Sequence, residues 1–285
     1  MRYGFVVPAA DAAEFADLAA LGEEHGWDAV FTWESVYGVD AWVTLGAAAM
    51  RTRRIRLGTL LTPASRIRPW DLASRVGTVD RLSGGRVILS VGLGALNENW
   101  LAFEPDEGRR TRAQKLDESL AIFAALCAGG PVTFEGRHYS AHLPAEVTPA
   151  APPPTVQRPH PPVWVVGLRV PDRSRQRSLE RAARWEGLLP AGVDAQGMWQ
   201  TLTPATLREI AGEVSRLRAA EGRSGEPYDV VVEGDTYGGF IQRQESPRDF
   251  EEAGATWWIE SWWDLPRDAR GQAEVRRRVE VGPAR

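Results

Sequence analysis

The sequence predicts an α/β chain folded as a closed (β/α)8 TIM barrel with a proline-rich insertion before the fifth strand. Three observations carry this. Short apolar runs rich in Val, Ile and Leu alternate with longer segments of helical period, as βαβ units and a parallel sheet require. Eight such pairs follow one another within 285 residues, and barrels of this class run to about 250 residues as a single unit. The run RVILSVGLG is almost continuously apolar, which suits a strand buried on both faces. Residues 1–285 therefore read as a single domain, with 129–162 an insertion inside it. A doubly wound sheet with an extra domain is the alternative arrangement.

The elements follow in order. RYGFVV (2–7) is the first strand, and the helix after it opens on Asp11 as N-cap and stops at Gly26, the residue types those positions favour. AVFTW is the second strand, VDAWVTLGAAAMR its helix, and IRLGTLL (55–61) the third strand, ending at Thr62 and Pro63. Pro69 opens the third helix and Gly84 and Gly85 close it. A fourth helix over about 109–128 completes four units by mid-chain. The stretch from Gly129 to Pro162 then carries PAAPPPTVQRPHPP, a density of proline that opposes ladders and helix interiors and predicts an extended excursion. VWVVG (163–167) resumes the alternation, followed by a helix over about 173–184, then EGLLP, TPATLREIAGEVSRLRAAEG, YDVVVEG, SPRDFEEAG, TWWIES and a last helix near 268–280.

Composition narrows the partners. The chain is 43% hydrophobic and 25% charged, with a formal charge of −4 and its arginines scattered among acids. That balance argues against a nucleic-acid footprint or an anionic membrane surface and leaves a small-molecule substrate as the expected partner. No apolar run approaches the roughly 20 residues of a membrane span, and the first residues lack the apolar core of a signal peptide, so a cytoplasmic location is expected. The single cysteine, Cys127, excludes an internal disulfide and a Cys-based zinc site and reads as a buried helical thiol. His25, His138, His142 and His160 form no HxH or HExxH pattern, so no metal site is expected.

In such barrels chemistry sits at the C-terminal ends of the strands. DAVFTWES ends the second strand on Glu34 and Ser35, and ATWWIESWW ends the eighth on Glu260 and Ser261. With one strand between them, the two carboxylates should have Cα atoms roughly 10 Å apart and face one pocket. A glycoside hydrolase using Glu34 and Glu260 is one reading of such a pair; pairing with arginines is the plainer one. SVGLGALNEN places GxG directly after a strand, where Gly92 and Gly94 would let a planar ligand or a phosphate approach the backbone, or form a tight turn. The third glycine of a dinucleotide fingerprint is replaced by Asn97. Arg169, Arg173 and Ser174 with the first turn of the next helix offer an anion site, or are simply solvated.

Four stretches, RIRLGTLLTP, DRLSGGRVILSVGLG, RAQKLDESLAIFAALCAGGPVTFEGRHY and VQRPHPPVWVVG, together resemble the luciferase-like flavin-dependent oxidoreductases, (β/α)8 barrels that bind FMN or the deazaflavin coenzyme F420. The resemblance implies an oxidoreductase or monooxygenase that passes a hydride between that coenzyme and a small organic substrate, and a homodimer. It implies that Leu60, Leu61 and Thr62 lie against the ring, often with a non-proline cis peptide there. Gly92, Gly94 and Asn97 would approach the ribityl chain, and Gly167, Arg169 and Ser174 the phosphate region. Many relatives end the second strand in Asp-His, where this chain has Glu34 and Ser35; Ser35 cannot take the charge that His can. A coenzyme-binding barrel without turnover is therefore a competing expectation. The family's deazaflavin sugar-phosphate dehydrogenases carry Glu directly after GxG, where this chain has Ala95. Glu34, Ser35 and Glu260 are expected to shape the substrate face.

Overall fold

The computed structural model describes residues 1–96, 100–194, 196, 198–239 and 245–284. Its elements run β1 (Arg2–Val6), α1 (Ala12–Glu24), β2 (Ala29–Thr32), α2 (Ala41–Arg51), β3 (Arg56–Pro63), α3 (Pro69–Ser83) and β4 (Val87–Gly92). Then come α4 (Trp100–Phe103), α5 (Arg109–Ala128), β5 (Val132–Glu135), β6 (Ser140–Leu143), β7 (Val163–Arg169) and α6 (Arg177–Ala183). The chain finishes with β8 (Gly187–Val193), β9 (Trp199–Gln200), α7 (Pro204–Ala220), β10 (Asp229–Gly234), α8 (Pro247–Glu252), β11 (Trp257–Ser261) and α9 (Ala269–Val281). Strands β1, β2, β3, β4, β7, β8, β10 and β11 pair in parallel in that order, and β11 pairs back onto β1, so the sheet is a closed barrel.

Two apolar layers hold it. Val6, Phe31, Ile88, Trp164, Val231 and Ile259 fill the barrel interior, with Trp164 5.5 Å from Phe31 and 5.2 Å from Trp257 between ring centroids. The alternate residues, among them Phe5, Val30, Leu57, Leu89 and Trp258, face the surrounding helices, because successive strand side chains point to opposite faces. Helix ends follow local chemistry: Asp11 accepts from the Glu14 N–H at 2.8 Å, and Gly26 and Gly84 take the positive φ that stops α1 and α3.

Five elements depart from the sequence reading. Part of the insertion does form a ladder: β5 and β6 pair as an antiparallel hairpin, which fits because the stretch between Pro131 and Pro144 contains no proline. The helix expected near 173 begins at Arg177, since Asp172 turns through a φ of 58° and the Gln176 side chain ties the loop back to Val170 on both its N–H and its carbonyl. The short α4 and β9 carry too little periodicity to be read in advance.

Candidate active site

A cavity of about 800 Å³ opens at the C-terminal ends of the barrel strands. Its floor is apolar. Leu60, Leu61, Gly92, Val166 and Leu168 line it from β3, β4 and β7. β3 shifts register against β4 between Thr59 and Thr62, and within that irregularity the Leu60–Leu61 peptide is cis. Leu61 occupies the space a Gly92 side chain would take, 2.8 Å from where its Cβ would sit. Gly94 has a φ of +78°, and a Cβ there would collide with Trp100 and lie 2.8 Å from Pro63. Both glycines thus line the cavity, and the room they leave is filled by the protein's own side chains.

One end of the cavity is cationic, with Arg109 and Arg112 from α5 and Arg181 from α6 in its wall beside Ser178. Arg181 is held by Asp117 through Nη2 at 2.8 Å and a still shorter Nε contact of 2.5 Å. Arg112 Nη1 donates to the Leu93 carbonyl at 2.8 Å and its guanidinium lies over the Trp100 ring. Arg112 Nε and Trp100 Nε1 are buried donors with no hydrogen-bond acceptor among the described residues; Asp106 is 3.2 Å from that Nε but forms no hydrogen bond with it. An apolar slab ending in fixed arginines and unspent donors fits a planar ring system with an anionic tail. Helical spacing was the signal that could have found these cations: Arg109 and Arg112 stand one turn apart at the start of the helix that follows the GxG strand.

At the other side stand Trp33, Glu34 and Ser35 from the end of β2, and Trp263 and Arg267 beyond β11. Glu34 Oε2 accepts from Thr62 Oγ1 at 2.7 Å and from Trp42 Nε1 at 3.2 Å, and Oε1 lies 3.5 Å from Arg75 Nη1. Burial nevertheless pushes its carboxyl above the ordinary 4.5, because desolvation penalises the charged form more than those partners restore. Thr62 is fully buried and stands behind Glu34 instead of in the cavity wall.

Other expected site residues lie elsewhere. Glu260 aligns with Phe5, which faces the helices, and it does not line the cavity. It is buried outside the barrel, accepting from the Thr236 N–H, Thr236 Oγ1 and Trp258 Nε1 at 3.0, 2.8 and 2.9 Å. Burial raises its pKa too. Glu34 and Glu260 therefore do not share a pocket, and the glycosidase arrangement is absent. The interior carboxylate at that end is Glu233 on β10, which accepts from Ser261 Oγ at 3.0 Å and Trp263 Nε1 at 3.3 Å. Gly167 faces outward, where a Cβ would collide with Leu188 and Leu179; Arg169 pairs with Glu209 at 3.2 Å; Ser174 is exposed in the loop before α6. None of the three lines the cavity; Ser178 and Arg181 take that place. Asn97 lies outside the described residues. Among the described residues no cluster of His, Cys, Asp and Glu could hold a metal, and no helix is long and apolar enough to cross a membrane.

Known proteins share both the sequence and the shape. An F420-dependent glucose-6-phosphate dehydrogenase of Nakamurella multipartita is 36% identical over 151 residues, which cover 49% of this chain and 44% of that protein. The chain thus matches less than half the length of that relative. A tetrahydromethanopterin reductase of Methanopyrus kandleri, described as coenzyme F420 dependent, superposes with a TM-score of 0.72 at 16% identity over 98% of this chain and 96% of its own. A monooxygenase of Streptomyces bottropensis does so with a TM-score of 0.72 at 20% identity, covering 99% and 97%. At such identities the superpositions speak for the barrel alone. The family model described as luciferase-like monooxygenase matches residues 2–239, and the chain belongs to that family.

Proposed function

We propose that this chain is an oxidoreductase that holds a deazaflavin coenzyme, F420, or alternatively FMN, in the barrel mouth and passes a hydride between it and a small organic substrate. The observation that carries the reading is the cavity itself, an apolar slab running from Leu60 and Leu61 to the arginines at 109, 112 and 181. The relative at 36% identity is named as F420-dependent, which favours the deazaflavin. The coenzyme supplies the redox chemistry. The protein supplies position and charge. The leucines and Val166 exclude water from the ring face, Arg109 and Arg112 with the buried donors of Arg112 and Trp100 take the anionic tail, and Ser178 and Arg181 close that end.

Glu34 is the carboxyl of this site whose burial favours the neutral form over the charged one. Its Oε2 accepts two hydrogen bonds, and its Oε1 faces the Arg75 guanidinium at 3.5 Å. Ser35 beside it offers a hydroxyl and no second titrating group, so Glu34 acts without the charged partner that His would have given. A homodimer remains part of the proposal; a sedimenting mass of a single 31.4 kDa chain would remove it. The test of the whole reading is fluorescence: F420 or FMN at about micromolar concentration should be quenched on adding the protein, and Arg112→Ala should weaken binding by about tenfold or more, a loss of the order expected for charge-assisted hydrogen bonds. No quenching with either coenzyme rejects the reading. Quenching without hydride transfer to any substrate would favour the barrel that binds without turnover.

A further inference from the structure

The cavity wall divides by strand order. The leucines and the three arginines come from β3, β4, β7 and the helices that follow them, whereas the opposite side comes from the ends of β2 and β11, neighbours across β1. On that opposite side Trp33 and Trp263 meet edge to face, 6.5 Å between centroids and 86° between planes. Each indole is pinned. Trp33 Nε1 donates to the Pro8 carbonyl at 2.9 Å, and Trp263 Nε1 to Glu233 Oε2 at 3.3 Å. The polar edges of both rings are thus turned into the protein, which leaves apolar ring surface for the cavity.

Arg267 stands over the Trp33 ring, 5.3 Å from its centroid, and also lines the cavity. It forms no ion pair with a described carboxylate. Its neighbour Asp268 is occupied as the N-cap of α9, accepting from the Arg270 and Gly271 N–H groups at 2.9 and 3.1 Å. Elsewhere in the wall Arg112 and Arg181 have carboxylates within 3.2 Å; Arg109, like Arg267, pairs with no described carboxylate, and what sets Arg267 apart is its seat on a rigid aromatic corner. An anion with a planar apolar body satisfies both parts at once.

We propose that this half takes an aromatic carboxylate, its ring in the Trp33–Trp263 corner and its carboxylate paired with Arg267. The assignment of this ligand as the substrate rests on the coenzyme reading above; the binding itself does not, so the coenzyme-free chain is the test material. Titration calorimetry with benzoate, its neutral isostere benzamide and glucose 6-phosphate separates the chemistries. Benzoate should bind about tenfold or more tighter than benzamide, as a charge-assisted pair commands, and tighter than the sugar phosphate, which has no flat ring. Arg267→Gln, an exposed position, should erase the preference for benzoate over benzamide, and Arg267→Lys should keep part of it. Trp263→Leu should weaken benzoate and benzamide together.

Equal binding of benzoate and benzamide, an unchanged preference in Arg267→Gln, or tighter binding of glucose 6-phosphate overturns the proposal. The coenzyme titration runs on the same variants. Quenching retained in a chain that does not distinguish benzoate from benzamide rejects this inference alone; a benzoate preference in a chain that quenches neither coenzyme supports the site and rejects the coenzyme reading.

Discussion

Glu34 and Glu260 are both strand-end carboxylates with pKa values raised by burial, yet they occupy opposite sides of the barrel wall. For an acid with a raised folded-state pKa, the fold favours the neutral form. The stability it contributes is complete below the unfolded value near 4.5 and declines as pH rises through the raised one. Glu34→Gln is locked neutral and keeps an oxygen for Thr62 and Trp42, so its denaturation midpoint should rise relative to wild type as pH is taken upward from about 4.5. A difference that stays constant as pH rises would contradict the raised pKa. The sequence located Glu34 at the mouth because its strand ended there. It misplaced Glu260 because TWWIES is apolar on both faces, so alternation could not say whether Trp257, Ile259 and Ser261 or Trp258 and Glu260 pointed inward. Arg267 was unreadable for a related reason: nothing in sequence sets it over Trp33.

The eight strand–helix pairs were legible because each barrel strand is short and apolar and each long helix has one buried face. What escaped was decided by side chains reaching across the chain. The DRLSGGR stretch, which carried the family resemblance, is a structural staple. Asp80 is fully buried and accepts from the Val156 N–H, the Gln157 N–H and Gln157 Nε2 at 2.7, 3.1 and 2.8 Å, tying the insertion to the end of α3. Arg86 spends its guanidinium on carbonyls of Ser83, Ile55, Ala49 and Thr52 and on the Thr52 hydroxyl. Asp80→Ala removes the acceptor of three part-buried donors, of which Gln157 Nε2 keeps the Val87 carbonyl, and should cost about 1–3 kcal/mol by urea denaturation. Proteolysis should then cut first in 150–160. Loss of less than about 0.5 kcal/mol would mean that the insertion is held by its proline contacts instead.

At the scale of the molecule, closure is the step on which the mouth depends, since the two halves of the cavity face each other only if the sheet returns on itself. The β8–β10 seam is held by two register pairs, Asp229 with Gly187 and Val230 with Leu188. Gly187 there has no room for a Cβ, which would collide with the Trp164 indole filling the barrel interior. Trp164 Nε1 in turn donates to Asp229 Oδ2 at 3.2 Å, and Asp229 Oδ1 holds Arg2 at 2.7 Å. Gly187→Ala therefore presses on the interior packing and on the seam together and should destabilise by about 1–3 kcal/mol, the range for overpacking a close-packed core. Gly212, inside α7, is the internal control: a Cβ there meets nothing nearer than Arg216 Nη1 at 4.0 Å. Gly212→Ala removes backbone entropy from the unfolded chain and should stabilise by about 0.5–1 kcal/mol. The same chemical change thus carries opposite signs at two positions. Urea unfolding of both variants reads the difference directly, and equal shifts would mean that the Trp164 interior yields as easily as a helix surface.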